Sequence, residues 1–471
     1  MAKIIYYLMK FCYMLKKDKL TYALFFLFVI LLIFIASKGL EMLQSGDENV
    51  YFYMGKSITE GKAPYRDFFY AHPPLHIYII AAVYKLFGFN IIALKLVPLV
   101  SVLISSFFIF KMAKEKFGNL EAIISSLLFI FSYGIMFNSV FSLGIMESTM
   151  LMTIGFYFLF NRNNCYLAGL FFGLAAVTRL LALIPIFVIL FIILLSNRKK
   201  FVQLSSAFLI IFLAVNITFI LIFGNDYINP VYRFHLMKNA GINQNLNEYL
   251  DIIKLNWILF LSALAFIFVK SKKPLNIFVI TSLSYLIFLL ALKRLFGFYF
   301  VVVFPFLAII GGYSIANLYQ ELKINNKFKN GIFLILILLF LWNLAADISF
   351  LQKRGFAGFE RGNDLADFVT SNSNKNTLLF GDSSAAPLLA LITNKKIALD
   401  FADTNDQVFS SRIVDINNVL DGIKGKDIMF IARDRGISSL IEVRGFLNEN
   451  CELSSTFYDK SEGNYLIYKC N

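Results

Sequence analysis

Between Ser45 and Gly88 an otherwise apolar chain gathers groups that can move a proton or hold an anion: Asp47-Glu48, Lys62, Arg66, Asp67, His72 and His76. Two of the chain's three histidines fall in this stretch. A carboxylate pair on one polar face can hold a divalent metal, act as a general base toward a hydroxyl or amine, or keep the loop in shape. A base working on such an acceptor needs cations to take up the charge of the leaving group, and Lys62, His72, Arg179 and Arg294 are the candidates. Arginine suits phosphate because its planar fork donates two parallel hydrogen bonds. A substrate carrying both a phosphate and a long apolar tail would explain chemistry placed at a bilayer surface. Glu147 is a second acidic candidate, and His235, in the run VYRFHLMKNAG, is a candidate for acceptor or metal together with Arg66 and Asp67.

Each of these residues also has a plainer reading. Glu48 and Glu147 stand near helix starts, where an acid stabilises the macrodipole. Lys293 and Arg294 read equally as headgroup anchors, and a lone histidine such as His235 is more often structural. Arg179 is harder to dismiss, since an ionisable group between two short apolar segments is costly at membrane depth and is usually kept for function. Cofactor chemistry stays open: none is required, and a divalent metal is compatible with the carboxylates.

The elements that position these groups are membrane helices. The 471 residues are 58% hydrophobic and 16% charged, against about 25% charged in soluble domains, and the mean hydropathy is +0.70. The net charge of +14 does not point to nucleic acid, because Lys and Arg gather in short breaks between apolar runs, as in cytoplasmic loops. Eleven segments are candidates to cross about 30 Å of hydrocarbon: 20–39, 90–112, 120–137, 147–161, 165–179, 181–196, 201–223, 254–271, 274–292, 296–319 and 330–348. No cleavable leader is evident, so the first is expected to be retained.

A twelfth run, Pro74 to Gly88, decides the topology. If it lies in the interface and the N-terminus, with Lys16, Lys17 and Lys19, is cytoplasmic, the later basic breaks all fall inside: Lys111-Lys114-Lys116, Arg162, Arg198-Lys199-Lys200, Lys270-Lys272-Lys273 and Lys323-Lys327-Lys329. If it spans, they all move outside, against the positive-inside rule. His76, Tyr84 and Lys85 suit an interfacial helix. The outer face then receives loop 40–89, Asn138 to Glu147, the Thr178-Arg179 turn, Gly224 to Ile253, Lys293-Arg294 and all that follows residue 349 or so.

The expected fold is thus a polytopic α-helical membrane protein, 1–348, followed by a small extracytoplasmic α/β domain, 349–471. In the latter, strand-length runs at Thr377 to Phe380, Lys396 to Phe401, Asp427 to Ala432 and Tyr465 to Tyr468 alternate with helical stretches at Asp364 to Ser371, Ala385 to Ile392, Ser411 to Ile423 and Ile437 to Leu447. That alternation predicts a mainly parallel sheet. Glu452 to Tyr458 and Asn464 to Lys469 read as a terminal hairpin. Centred between Lys460 and Ser461, it would set Cys451 opposite Cys470, close enough to bridge. Cys12 and Cys165 read as apolar filler.

Asp47-Glu48-x-x-Tyr51, Gly61, Pro64-Tyr65, Arg66-Asp67-Phe68, Pro73-Pro74-Leu75 and Phe87-Gly88 together resemble the first external loop of the GT-C glycosyltransferases. The resemblance is to the branch containing protein O-mannosyltransferases and lipid A aminoarabinose transferases. Gly169 to Arg179 is similar to that branch's Gly-rich helix ending in a basic residue, and Arg294 to Pro305 to its late basic-aromatic-proline segment. The resemblance implies inverting transfer of a sugar from a polyprenyl-phosphate donor to an extracytoplasmic protein, lipid or glycan, with Asp47 as general base. Three positions depart from the pattern: His72 stands where a Lys is usual, Ala71 where some members are acidic, and Glu147 where Asp is common. A multi-span transporter or lipid flippase is the alternative of another class; it would place charges at midplane in broken, repeated helices, whereas here they gather on one face and no repeat is visible. An envelope polysaccharide polymerase or ligase differs only in donor and acceptor.

Overall fold

The structure, a computed structural model, describes residues 18–238, 242–270, 273–321, 325–356, 358–359, 361–434, 436–459 and 463–470. Cys12, Lys16, Lys17, Lys272, Lys323 and the hairpin turn 460–462 lie outside the described residues.

Each of the eleven apolar segments contains a helix: Asp18–Glu41, Ile91–Lys116, Asn119–Ile130, Ile145–Phe160, Cys165–Ala176, Leu183–Ser196, Arg198–Phe223, Trp257–Leu264, Lys273–Leu290, Phe304–Glu321 and Asn326–Phe350. Among the described residues, Asp18–Glu41, Ile91–Lys116, Arg198–Phe223 and Phe328–Lys353 are long and apolar enough to cross a membrane alone. Gln244–Leu255 and Trp257–Phe268, bent by 82°, make a fifth if counted as one span. Length therefore does not confirm eleven crossings, because breaks such as Asn161–Asn164 and Thr178-Arg179 cut the middle of the chain into short helices. Of these, Ile145–Phe160 packs inside the bundle, while Leu183–Ser196 and the long helices turn apolar side chains outward: Leu195, Phe34, Leu221 and Trp342 are 73%, 76%, 80% and 70% exposed. Such surfaces suit hydrocarbon, and helices suit it because they satisfy their own backbone. Leu75–Phe87 has 13 residues, about 20 Å at the helical rise, too short to cross alone.

The basic breaks meet at one end of the bundle. Asp18 pairs with Lys114 at 3.0 Å, Glu115 with Arg162 at 3.0 Å, and Lys200 donates to Asn163 at 2.6 Å. Loop 40–89 lies apart from them, against the C-terminal sheet region.

That region begins after Phe350, where the last long helix continues as a wider turn, Leu351–Gly355. Its strands are β1 (Leu378–Gly381), β2 (Ile428–Arg433), β3 (Cys451–Asp459) and β4 (Gly463–Cys470), in the order β1-β2-β4-β3. Only β1 and β2 run parallel; β4 is antiparallel to both its neighbours. The expected mainly parallel sheet is thus corrected to a mixed one. The expected strand at 396–401 is absent for a local reason. Leu399 and Asp400 are left-handed, with φ of 55° each, and the Ile397 N–H donates to the Tyr53 hydroxyl at 2.8 Å, leaving one bridge between Leu379 and Ile397.

The hairpin closes differently from expectation and arrives at the same pair. Asp459 faces Gly463, one residue off the expected register, so unbroken pairing would carry Cys451 one position past Cys470. A bulge between Leu453 and Ser455 takes up one residue, and Cys451 then faces Cys470 and is bonded to it. Cys165 is free and buried.

Candidate active site

The first external loop is held by the sheet region. The helix Asp47–Thr59 begins at Gly46, whose N–H donates to Ser384 O at 3.2 Å; the Asn49 side chain donates to Gln44 O at 2.7 Å and to Ser384 O at 3.3 Å. Ser384 closes the turn after β1, fixed by Asp382, which accepts from the Ser384 N–H at 3.0 Å and pairs with Arg433 at 3.0 Å. The stretch Phe380-Gly381-Asp382-Ser383-Ser384 thus serves as a clamp on the start of that helix.

One residue of the acidic pair goes in and the other out. Glu48 is fully buried, 3.2 Å from Lys95, which is also fully buried, and it accepts from the Ser142 N–H at 3.0 Å. Lys95 further donates to Gly39 O, Met42 O and Gln44 Oε1. Asp47 instead opens into a cavity of about 670 Å³, part of it continuous with solvent. Its carboxylate is accessible there yet enclosed by protein, and this desolvation raises its pKa, offset by Arg179 and Lys238.

The cavity wall is assembled from widely separated stretches of the chain. Asp47, Val50 and Tyr51 come from the first helix of the loop, and Ala71 and His72 from the stretch before the Pro-Pro pair. Arg179 lies where the chain is extended between the helix Cys165–Ala176 and the turn Leu180–Ala182. The Leu75 N–H donates to Val177 O at 3.1 Å, so Pro73-Pro74 is moored beside that break. Phe234, Lys238, Phe296, Phe298 and Tyr299 form an aromatic side with one cation, and Asp403, Asn405 and Gln407 come from the sheet region.

Arg179 is 6% exposed and lies over the Tyr51 ring, 5.4 Å from its centroid. Gly144, at φ 77°, leaves room for this: a β-carbon there would stand 2.7 Å from His76 Cγ and 2.9 Å from Arg179 Nε. Among the described residues neither Asp47, Arg179 nor Lys238 forms an ion pair within 4.0 Å, and Arg179 Nε is buried with no hydrogen-bond partner. Burial lowers the Lys238 pKa to about 8 and raises that of Asp403 to about 7, the nearby Asp47 charge adding to the latter. Burial, then Arg179 and His235, hold His72 well below the usual imidazole range, so it presents a neutral ring rather than the cation expected.

The remaining candidates lie elsewhere. Glu147 is buried beside the cavity, 3.0 Å from His76 Nδ1, with its Oε2 unpartnered. His235 stacks behind His72, centroids 5.3 Å apart, and hydrogen-bonds Ala71 O at 2.7 Å. Arg294 lies over the Phe296 ring at 5.7 Å and donates to Gln244. Lys62 pairs with Asp400, tying the loop to the sheet region. Arg66 and Asp67 pair with each other at the exposed tip, where Asp67 also accepts from the Ala63 N–H. Among the described residues no group of three or more His, Cys, Asp or Glu is arranged to hold a metal. Lys238, Tyr299, Asp403, Asn405 and Gln407 were missed by sequence reasoning. Two of them carried a signal: Lys238 stands three residues beyond His235 in the same aromatic run, and Tyr299 lies in the segment Arg294 to Pro305.

Residues 71–223, which include His72, Glu147 and Arg179 but not Asp47, match the family model described as dolichyl-phosphate-mannose-protein mannosyltransferase. No curated protein sequence matches the chain. Among solved structures, ArnT from Cupriavidus metallidurans bound to undecaprenyl phosphate superposes with a TM-score of 0.66 at 14% identity, over 94% of this chain and 97% of that one. The fold is that of the GT-C glycosyltransferases. The Archaeoglobus fulgidus oligosaccharyltransferase in the apo form gives 0.56 at 11% identity, over 88% of this chain and 70% of that one. The same organism's oligosaccharyltransferase AglB, in complex with an inhibitory peptide and a dolichol-phosphate, gives 0.52 at 11% identity, over 96% and 74%. With that fold and several long apolar helices, the chain is a multi-pass membrane protein.

Proposed function

We propose that the chain is a membrane glycosyltransferase that moves a sugar from a polyprenyl-phosphate donor to an acceptor hydroxyl or amine, with inversion at the anomeric carbon. The observation that carries this reading is the separation within one cavity of an accessible, unpaired carboxylate, Asp47, from two cations without carboxylate partners, Arg179 and Lys238. The acceptor's O–H or N–H gives its proton to Asp47 as the heteroatom attacks the anomeric carbon. The bond from that carbon to the phosphate oxygen breaks, and the lipid phosphate departs with the electron pair toward Arg179 and Lys238. His72 contributes a neutral hydrogen-bonding group. Solved GT-C neighbours hold undecaprenyl phosphate or dolichol-phosphate, which supports a lipid-phosphate donor here. With purified protein in nanodiscs and a panel of labelled undecaprenyl-phosphate sugars, at least one should release undecaprenyl phosphate in the presence of an envelope lipid, glycan or protein fraction. No release across the panel would overturn the reading.

The same reading places the cavity on the extracytoplasmic face, because the contacting basic breaks lie at the other end of the bundle. In a background lacking native cysteines, Lys62→Cys should be labelled by an impermeant thiol reagent from outside and Lys199→Cys should not. The reverse pattern would put the active site on the cytoplasmic side.

A further inference from the structure

The sheet region does more than clamp the first loop, for it delivers a polar row to the cavity. Asp403, Asn405 and Gln407 line it at every second position, and Phe296, Phe298 and Tyr299 line the same cavity. The segment is fixed from behind: Thr404 donates to Gly381 O, and Val408 is fully buried in a small core with Phe69, Ala71 and Phe234. Its internal hydrogen bonds use only part of its capacity. Asp403 Oδ1 accepts from the Asn405 N–H at 3.4 Å, and Asn405 Oδ1 caps the short helix that follows by accepting from the Gln407 N–H at 3.0 Å. Unused within the segment are the second Asp403 oxygen, the Asn405 amide hydrogens and the Gln407 side chain, whose Oε1 is buried without a partner.

A carboxylate and two amides that share a cavity with aromatic rings match a sugar, which offers hydroxyls on its edge and C–H groups on its face. A buried acceptor without a partner is costly, and a site built to bond a hydroxyl discriminates strongly against ligands that leave it unpaired. We propose that segment 403–408 reads the hydroxyls of the transferred sugar, so that donor specificity resides in the sheet region while the phosphate is held by the membrane part.

This rests on the glycosyltransferase reading, and the test separates the two. Full-length protein in nanodiscs is titrated with undecaprenyl phosphate and with its mannosyl, glucosyl and galactosyl esters. At least one ester should bind more tightly than the bare lipid. Asp403→Asn and Gln407→Ala should each weaken that ester about tenfold, the size of one lost hydrogen bond to a buried group, and leave bare-lipid binding unchanged. Arg179→Ala should weaken both ligands. The proposal is overturned if no ester exceeds the bare lipid, if both variants bind the ester as wild type does, or if they lose bare-lipid binding equally. It is also overturned if only the acceptor KM changes, which would make the segment an acceptor wall. Bare-lipid binding that persists and depends on Arg179 would leave the donor-phosphate reading standing in each case, whereas binding of no lipid phosphate at all would remove both.

Discussion

The cavity and the protein packed around it treat charge in opposite ways. Around it, Glu48 is paired with Lys95, Glu147 with His76, Asp382 with Arg433 and Lys62 with Asp400. On its wall, Asp47, Arg179 and Lys238 stand without ion-pair partners among the described residues. Paired charges fix the loop, helices and sheet region relative to one another. Unpaired charges of both signs, held apart by that frame, are what a reaction separating a proton from a phosphate needs. The adjacent acids of the first loop fall on the two sides of this division: Glu48 is paired within the frame, and Asp47 stands on the cavity wall.

Cutting the frame should cost stability rather than chemistry. Lys95→Met leaves Glu48 buried without a counter-ion, a loss of about 3–5 kcal/mol, read as a large fall in the thermal midpoint in detergent. Adding Glu48→Gln should recover most of it. A midpoint unchanged in the single variant would show that the pair is not structural.

Removing a wall cation should spare the fold and weaken the donor. Arg179→Ala should lower undecaprenyl-phosphate affinity by roughly 10- to 100-fold, as for a lost charge-assisted hydrogen bond of about 1.5–3 kcal/mol, with Arg179→Lys only partly restoring it. Lys238 sharpens the same point through pH. It carries its charge below its pKa of about 8, so kcat/KM for the donor should decline as pH rises through that value, while the acid limb reflects protonation of Asp47. Lys238→Arg should remove the alkaline decline. A profile identical to wild type in that variant would leave Lys238 out of donor binding.

Much of the frame was legible beforehand because its signals are local. Apolar runs gave a helix in every segment, Pro73-Pro74 marked the turn moored at Val177, and Asp47-Glu48 marked the helix start. Span lengths were less legible, since a break such as Thr178-Arg179 looks the same in sequence whether it ends a crossing or interrupts one. The roles of Glu48 and Asp47 could not be separated from neighbouring positions alone. Which acid turns inward depends on Lys95 and Ser142, both distant in the chain. Asp403, Asn405 and Gln407 reach the cavity only through sheet packing, and their polar surroundings read as an ordinary loop. The cysteine pairing succeeded through two compensating departures, a register shifted by one residue and a bulge that restored it.

The most direct test is the chemical step in Asp47→Asn, which keeps the shape of the side chain and removes the base. In single turnover with saturating donor, its transfer rate should fall by about 10²- to 10⁴-fold, the range for a lost general base, while undecaprenyl-phosphate binding and the thermal midpoint stay at wild-type values. Transfer within a few-fold of wild type would contradict the account, because Asp47, the carboxylate that the first loop sets on the cavity wall with Arg179 and Lys238, would then not be the base.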